Sequence, residues 1–183
     1  MLLRAEEPRD HGPVRELHLL AFGDEHGLVV ADLVDDLRTS ITPEIGGSWV
    51  AEADGAVVGH VMLTPALLDA PRRLVDIQVL SPLGVRPDHQ RRGIGATLVD
   101  AGVRQAAGRG VPMVLLEGDP RYYSRLGFLP GADFGLRRPS LRVPEVAFQV
   151  LPLPAHEPWM TGTLVYPDVF WRHDAVGLRP DAA

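Results

Sequence analysis

Cysteine and lysine are both absent from this 183-residue chain, so all 18 of its strongly basic side chains are arginine. Without cysteine there is no disulfide framework, no thiolate zinc site, no sulfur nucleophile and no acyl-cysteine intermediate. Without lysine there is no Schiff base and no P-loop. Catalysis, if present, must come from His, Asp, Glu, Tyr, Ser, Thr, Arg or the backbone. An excess of positive charge is missing too. The formal net charge of −6 argues against a nucleic-acid partner, which needs a cationic field, but leaves room for a local basic pocket. Long apolar runs are also lacking. Val111 to Leu116 is far too short to span a bilayer, and MLLRAEEPRD lacks the apolar core of a signal peptide. The expectation is a cytoplasmic protein with no membrane partner.

What is present is ordinary globular material, 45% hydrophobic and 23% charged, enough for one cored domain. Leu2 to Ala5 reads as a short strand. Asp10 stands where an N-cap would, before a helical face of Val14, Leu17 and Ala21. A second helical pattern runs from Glu25 to Leu37, and Pro43 and Gly46-Gly47 end it. Trp49 to Ala53, the hairpin dipeptide Asp54-Gly55, and Val57 to Leu63 predict two antiparallel strands. Leu74 to Val85 extends the meander, with a bulge or an unpaired position at Ser81-Pro82 because proline cannot donate to a ladder. Ile94, Leu98 and Ala101 mark a helix ending near Gly108-Arg109-Gly110, and Val111 to Leu116 reads as a buried strand. Asp119-Pro120 opens a short helix that stops at Gly127. Phe128 onward and Val146 to Leu151 add strands. Pro152 to Ala183 is too apolar for a disordered tail and reads as packed extended structure, with only its last residues free.

The chemistry concentrates between Val85 and Leu98. There a strand ends, a loop carries Arg91, Arg92, Gly93 and Gly95, and a helix begins. The first turn of a helix has backbone N–H groups without intrahelical partners, and its dipole favours an anion. The glycines let a ligand approach the backbone, the arginines add charge, and Thr97 offers a hydroxyl, so the suited ligand is a pyrophosphate. A Rossmann fingerprint would need a third glycine where Leu98 stands.

Val85, Pro87, Gln90, Gly93 and Gly95 fit V-x-P-x-x-Q-x-x-G-x-G, which resembles the acetyl-CoA motif of the GNAT N-acetyltransferase superfamily. Tyr123 to Phe128 is similar to that superfamily's Y-x-x-x-G-F signature. Ser81 to Val85 and Gly118 to Tyr123 resemble a bacterial branch of predicted N-acetyltransferases. The resemblance implies an α/β (α+β) fold: a mixed, mostly antiparallel sheet, splayed at the cofactor site and flanked by helices. It covers a transferase domain over 1–150, with 151–183 an extension packed on the same domain. The implied reaction is direct transfer of acetyl from acetyl-CoA, a co-substrate, to a primary amine. The alternatives are a different acyl-CoA donor or a non-catalytic acyl-CoA-binding module.

By the same resemblance, pantetheine pairs with the backbone of Leu83, Gly84 and Val85. A backbone N–H near Leu83 polarises the thioester carbonyl. The pyrophosphate rests on Gln90, Arg91, Arg92, Gly93, Ile94, Gly95, Ala96 and Thr97. Tyr123 protonates the departing thiolate, while Tyr122, about 100° further round a helix, reads as structural. Some members carry a glutamate base at the position of Val79, which cannot serve. Glu117 is the candidate base, a water relay without any base is an equal alternative, and His60 is a weaker candidate. Neither a metal site nor a hydrolase serine is suggested. The resemblance implies acceptor contacts around Phe22 to Leu37 and Gly131 to Arg142, where Asp24, Glu25 and His26 suit a cationic amine, and Arg137 and Arg138 a carboxylate. The apolar tail either walls the acceptor pocket or forms a homodimer interface.

Overall fold

The computed structural model describes residues 1–42 and 44–179, and of Asp24 only the backbone. The readings of Pro43 as a helix breaker, of Asp24 as an acceptor contact and of a free terminus over 180–183 lie outside the described residues.

Four antiparallel strands follow one another across the sheet: β1 (Leu2–Ala5), β2 (Gly47–Ala53), β3 (Ala56–Asp69) and β4 (Leu74–Val85). The β2–β3 turn places Asp54 and Gly55 at φ 51° and 78°, the left-handed pair that a two-residue hairpin requires. The bulge expected at Ser81-Pro82 is present: the register steps from Val61 opposite Leu83 to Leu63 opposite Leu80, so both residues face Met62. Beyond β4 come β5 (Met113–Glu117), then β8 (Phe148–Pro152) and β6 (Leu129–Pro130). The tail adds β9 (Gly162–Val165), which pairs with the far half of β3, and β7 (Leu136–Arg137) pairs with β9.

Alternation along the strands divides the core between two faces. On one, Val14 and Leu17 of α1 (His11–Phe22) and Val34 and Leu37 of α2 (Asp24–Leu37) pack against Met62, Ile77 and Val79. On the other, Leu98, Val99 and Ala106 of α3 (Ile94–Gly108) cover Val61, Leu63 and Leu116. Leu98 is fully buried, so Leu98→Ala should cost about 2–5 kcal/mol.

The feature that positions the site is a break in pairing. β5 runs parallel to β4, yet only Gln78 with Val114 and Val79 with Leu115 are partnered. From Leu80 to Val85 the same edge of β4 has no strand beside it, so the sheet is splayed as the resemblance implied.

Three details differ from expectation. Asp10 does not cap α1. Arg4 holds its carboxylate at 2.6 and 2.8 Å, the Glu7 amide adds a third bond, and a 3-10 turn at Pro8–Asp10 leads into the helix. The strand expected from Phe128 shrinks to Leu129–Pro130, because Pro130-Gly131 breaks the ladder and a 3-10 turn follows. The tail is not all extended, since a short helix (Asp168–Arg172) follows β9 and Tyr166 stacks on Phe170 at 4.6 Å.

Candidate active site

Where β4 loses its neighbour, the start of α3 faces the gap. Gly93 occupies the N-cap at φ 82° with no capping side chain, so the N–H groups of Ile94, Gly95 and Ala96 lack intrahelical partners. Arg91 also takes a left-handed φ of 60°, which wraps the loop tightly before the helix. The Gln90 side-chain amide donates to the Val85 carbonyl at 3.1 Å and ties the loop to the strand end. The resulting groove is about 680 Å³. Of the residues singled out in the sequence, Leu83, Val85, Gln90 and Arg91 line it, as do Gly93, Ile94, Gly95 and Ala96.

Gly84, Arg92 and Thr97 do not line the groove. Gly84 alternates to the other face, where a Cβ would stand 2.8 Å from His18 and Leu17. Arg92 reaches back to the Asp88 carbonyl at 2.9 Å, and the Thr97 hydroxyl donates to the Gly93 carbonyl at 3.1 Å. The groove instead recruits His89, Tyr122, Arg125 and Leu126. Tyr122 therefore faces the groove, whereas the sequence reading made it a packing residue. A Cβ on Gly95 would lie 2.5 Å from its hydroxyl, so the second glycine of the loop also makes room for this ring. Nothing in the residue pattern pairs these two positions.

A second cavity of about 690 Å³ adjoins the groove at Leu83, which lines both. Tyr123 and Glu117 both line it. The Tyr123 ring lies against Gly118, where a Cβ would be 2.4 Å away, and meets Phe128 edge-on at 5.6 Å. Its hydroxyl forms no hydrogen bond with any described residue, and burial pushes its pKa above the ordinary value. Glu117 ends β5. One carboxylate oxygen accepts from the Gly177 N–H at 3.1 Å, and the other is buried without a hydrogen bond among the described residues, with the Tyr166 hydroxyl nearby. Burial raises this carboxyl's pKa, against the pull of Tyr166 and Gly177. The apolar wall comes from α1 and α2 through Phe22, Val30 and Leu33, and the tail closes it with Ala175, Gly177 and Leu178. Of the expected acceptor region, Phe22, His26, Val29, Val30 and Leu33 line this cavity, whereas no residue of 131–142 does; of the charged contacts singled out, His26 is present and Glu25, Arg137 and Arg138 are not. Arg137 bonds Thr163 and Arg138 the Val143 carbonyl.

Residues 44–130 match the family model of the acetyltransferase (GNAT) domain. The chain is 32% identical to YhbS of Escherichia coli K12, described as an uncharacterized N-acetyltransferase, over 82% of its own length and 86% of that protein. It belongs to the GNAT acetyltransferase family. The crystal structure of E. coli YhbS in complex with CoA superposes with a TM-score of 0.81 at 30% identity, covering 93% of this chain and 92% of that one. A Brucella melitensis GNAT acetyltransferase with acetyl-CoA superposes at 0.72 and 29% identity, covering 92% and 97%. YjhQ of E. coli is 32% identical over 67% of this chain, which spans 66% of that protein. The chain spans only 34% of the Streptomyces coelicolor mycothiol acetyltransferase, a match 32% identical over 57% of this chain.

In this GNAT chain Val79, where the resemblance set the glutamate of other members, is fully buried in the core. His60 does not face the cavity either. It is buried in a hydrogen-bonded row. Ser48 donates to Glu6 at 2.6 Å, His60 Nε2 lies 2.8 Å from Ser48, and His18 Nε2 lies 2.8 Å from His60 Nδ1. A carboxylate only accepts, so the donors run one way: His18 Nε2–H to His60, His60 Nε2–H to Ser48, Ser48 to Glu6. This leaves His18 Nδ1 a lone pair, buried and without a partner, against Gly84. Among the described residues no cluster of three His, Asp or Glu is placed to hold a metal ion, and no helix is long and apolar enough to cross a membrane.

Proposed function

We propose that this protein transfers the acetyl group of acetyl-CoA directly to a primary amine, with residues 1–150 as the transferase domain and 151–183 closing its acceptor side. The observation that carries this reading is the junction at Leu83. There a groove edged by unpaired β4 backbone and free helix N–H groups meets a cavity that holds a tyrosine and a buried carboxylate. Pantetheine would pair with the open edge of β4, and its pyrophosphate would accept from the N–H groups of Ile94, Gly95 and Ala96 beside Arg91. Leu83 would supply the N–H that polarises the thioester carbonyl.

The step balances as follows. The bound ammonium gives one proton to Glu117, which passes it to water. The neutral amine attacks the thioester carbon, the C–N bond forms and the C–S bond breaks. The thiolate takes the phenolic proton of Tyr123, and the proton remaining on the new amide nitrogen restores the phenol. A raised Tyr123 pKa keeps the acid protonated at neutral pH, and a raised Glu117 pKa makes that carboxylate a better base. Calorimetry with acetyl-CoA, followed by a CoA-release assay across primary amines, tests the reading. Tight binding with turnover on several amines is expected. Tight binding with no turnover on any amine would reduce the protein to an acyl-CoA-binding module.

A further inference from the structure

Three carboxylates line the acceptor cavity: Glu117, Asp119 and Asp174. Two have their own cation. Asp174 is held by Arg142 at 2.8 Å and by Arg179, and Asp119 by Arg121 at 3.0 Å. Two basic groups of the wall are engaged as well, Arg179 on Asp174 and His173 on Asp36 at 2.7 Å, while His26 packs edge-on against Phe22. Glu117 forms no ion pair with any described residue. Its Oε2 has the Gly177 amide, the Tyr166 hydroxyl faces the carboxyl group, and its Oε1 is buried without a hydrogen bond among the described residues. An unpaired buried polar oxygen costs about 1–3 kcal/mol, and an N–H donor placed there removes that cost.

The rest of the wall fixes what may carry the donor. Phe22, Val29, Val30, Leu33, Leu80 and Pro82 form its apolar side, and His26, Ser81, Tyr123 and Tyr166 add polar groups but no further acid. A polyamine would have to lay its further charges along that apolar side, unpaired, or compete with Arg121, Arg142 and Arg179 for Asp119 and Asp174. An α-amino acid would bring its carboxylate beside Glu117, like charge against like.

Resting on the acetyl-transfer reading, we propose that the acceptor is a primary amine with a single positive charge on an apolar or aromatic body, and that its ammonium donates to the free oxygen of Glu117. The apolar body lies along α1 and α2, and the amino group faces Tyr123 and the junction at Leu83.

Two measurements on the full chain test this. In the first, CoA release is followed with 2-phenylethylamine, hexylamine, spermidine and phenylalanine. The apolar monoamines should exceed the other two in kcat/KM by at least ~10-fold, the scale on which a pocket rejects unpaired polar groups. In the second, calorimetry follows 2-phenylethylamine binding to the protein saturated with CoA. Glu117→Gln should weaken that binding about tenfold by removing a charge-assisted bond, and CoA affinity should stay unchanged. Glutamine still offers a carbonyl to Gly177, so the fold is retained. Preference for spermidine or phenylalanine overturns the substrate class and leaves acetyl transfer standing. Glu117-dependent amine binding with no CoA release overturns acetyl transfer and leaves the class standing. Absence of monoamine binding, or binding indifferent to Glu117→Gln, overturns the class.

Discussion

The two cavities that meet at Leu83 are built by different means. The cofactor groove is made largely of main chain: an unpaired strand edge, a left-handed loop and the first turn of α3. It comes mostly from one stretch between Leu83 and Ala96. The acceptor cavity is made of side chains from α1, α2, β4, the end of β5 and the tail. A main-chain site holds a constant ligand on any sequence that preserves backbone shape, whereas a side-chain site changes with every substitution. One donor can thus serve many acceptors on one fold. The contrast predicts that the two regions break in different ways.

The largest effect belongs to the side-chain region. Tyr123→Phe should lower kcat by about 10²–10⁴, the range of a positioned acid, with acetyl-CoA affinity unchanged by calorimetry. Tyr122→Phe is the paired control, because Tyr122 faces the groove and its hydroxyl sits beside Gly95. If Tyr122→Phe abolishes turnover and Tyr123→Phe does not, the two tyrosines exchange roles and the boundary between the cavities moves.

The next effect should strike both cavities together, because it acts on β4, the strand they share. His18 and His60 are buried beneath Gly84. Burial drives His18 down to about 2, helped by His60 and Arg38, and burial lowers His60 against the pull of Glu6 and Asp10. Unfolded, both titrate near 6.5. Below that pH the unfolded chain binds protons that the folded chain refuses, so stability is complete above about 6.5 and is lost as the pH falls. At pH 5.5 the two together should cost about 2–3 kcal/mol. Burial works to raise the Glu6 pKa, but neighbouring His60 and the hydrogen bonds from Arg38 and Ser48 hold it far below the carboxylate range. Glu6 adds a loss of the same sign at lower pH. Denaturant unfolding at pH 7.5 and 5.5 checks this, with His18→Gln/His60→Gln expected to flatten the dependence. If acid empties the CoA groove with no loss of global stability, the two cavities do not share this foundation.

The same contrast explains what the sequence disclosed. The groove at the start of α3 was legible as a shape because Gln90, Gly93 and Gly95 stand in one run and each answers a local need: a tie to Val85, a left-handed cap, and space. The meander, its Asp54-Gly55 turn and the Ser81-Pro82 bulge were legible for the same reason, since turn and ladder rules act within a few residues. Tyr122 was missed because its fit against Gly95 spans 27 positions of sequence and leaves no spacing signal. The pairing of Gly177 with Glu117 joins the tail to β5, and the row from His18 to Glu6 joins four segments. Such contacts depend on how the chain closes on itself. Asp10 shows the converse, for its local signal of an N-cap was overridden by Arg4 from the neighbouring strand.

The smaller predictions probe the main-chain region. Gly93 sits at φ 82° with open space around it, so a side chain there meets no clash. A non-glycine residue held in that conformation costs about 1–3 kcal/mol. The chain can escape the strain only by turning the first N–H groups of α3 out of alignment. Gly93→Val should therefore weaken acetyl-CoA binding about ten- to hundredfold, a change of roughly 1.4–2.8 kcal/mol. Thr97→Val is the sharper comparison because it removes a hydroxyl at the same helix end. That hydroxyl already donates to the Gly93 carbonyl within the helix, and exposed local bonds of this kind are nearly neutral. Acetyl-CoA affinity should then change less than about twofold, or about 0.4 kcal/mol. A large loss with Thr97→Val and none with Gly93→Val would mean that a side chain, not the main chain, grips the pyrophosphate, and the contrast between the two cavities would fall.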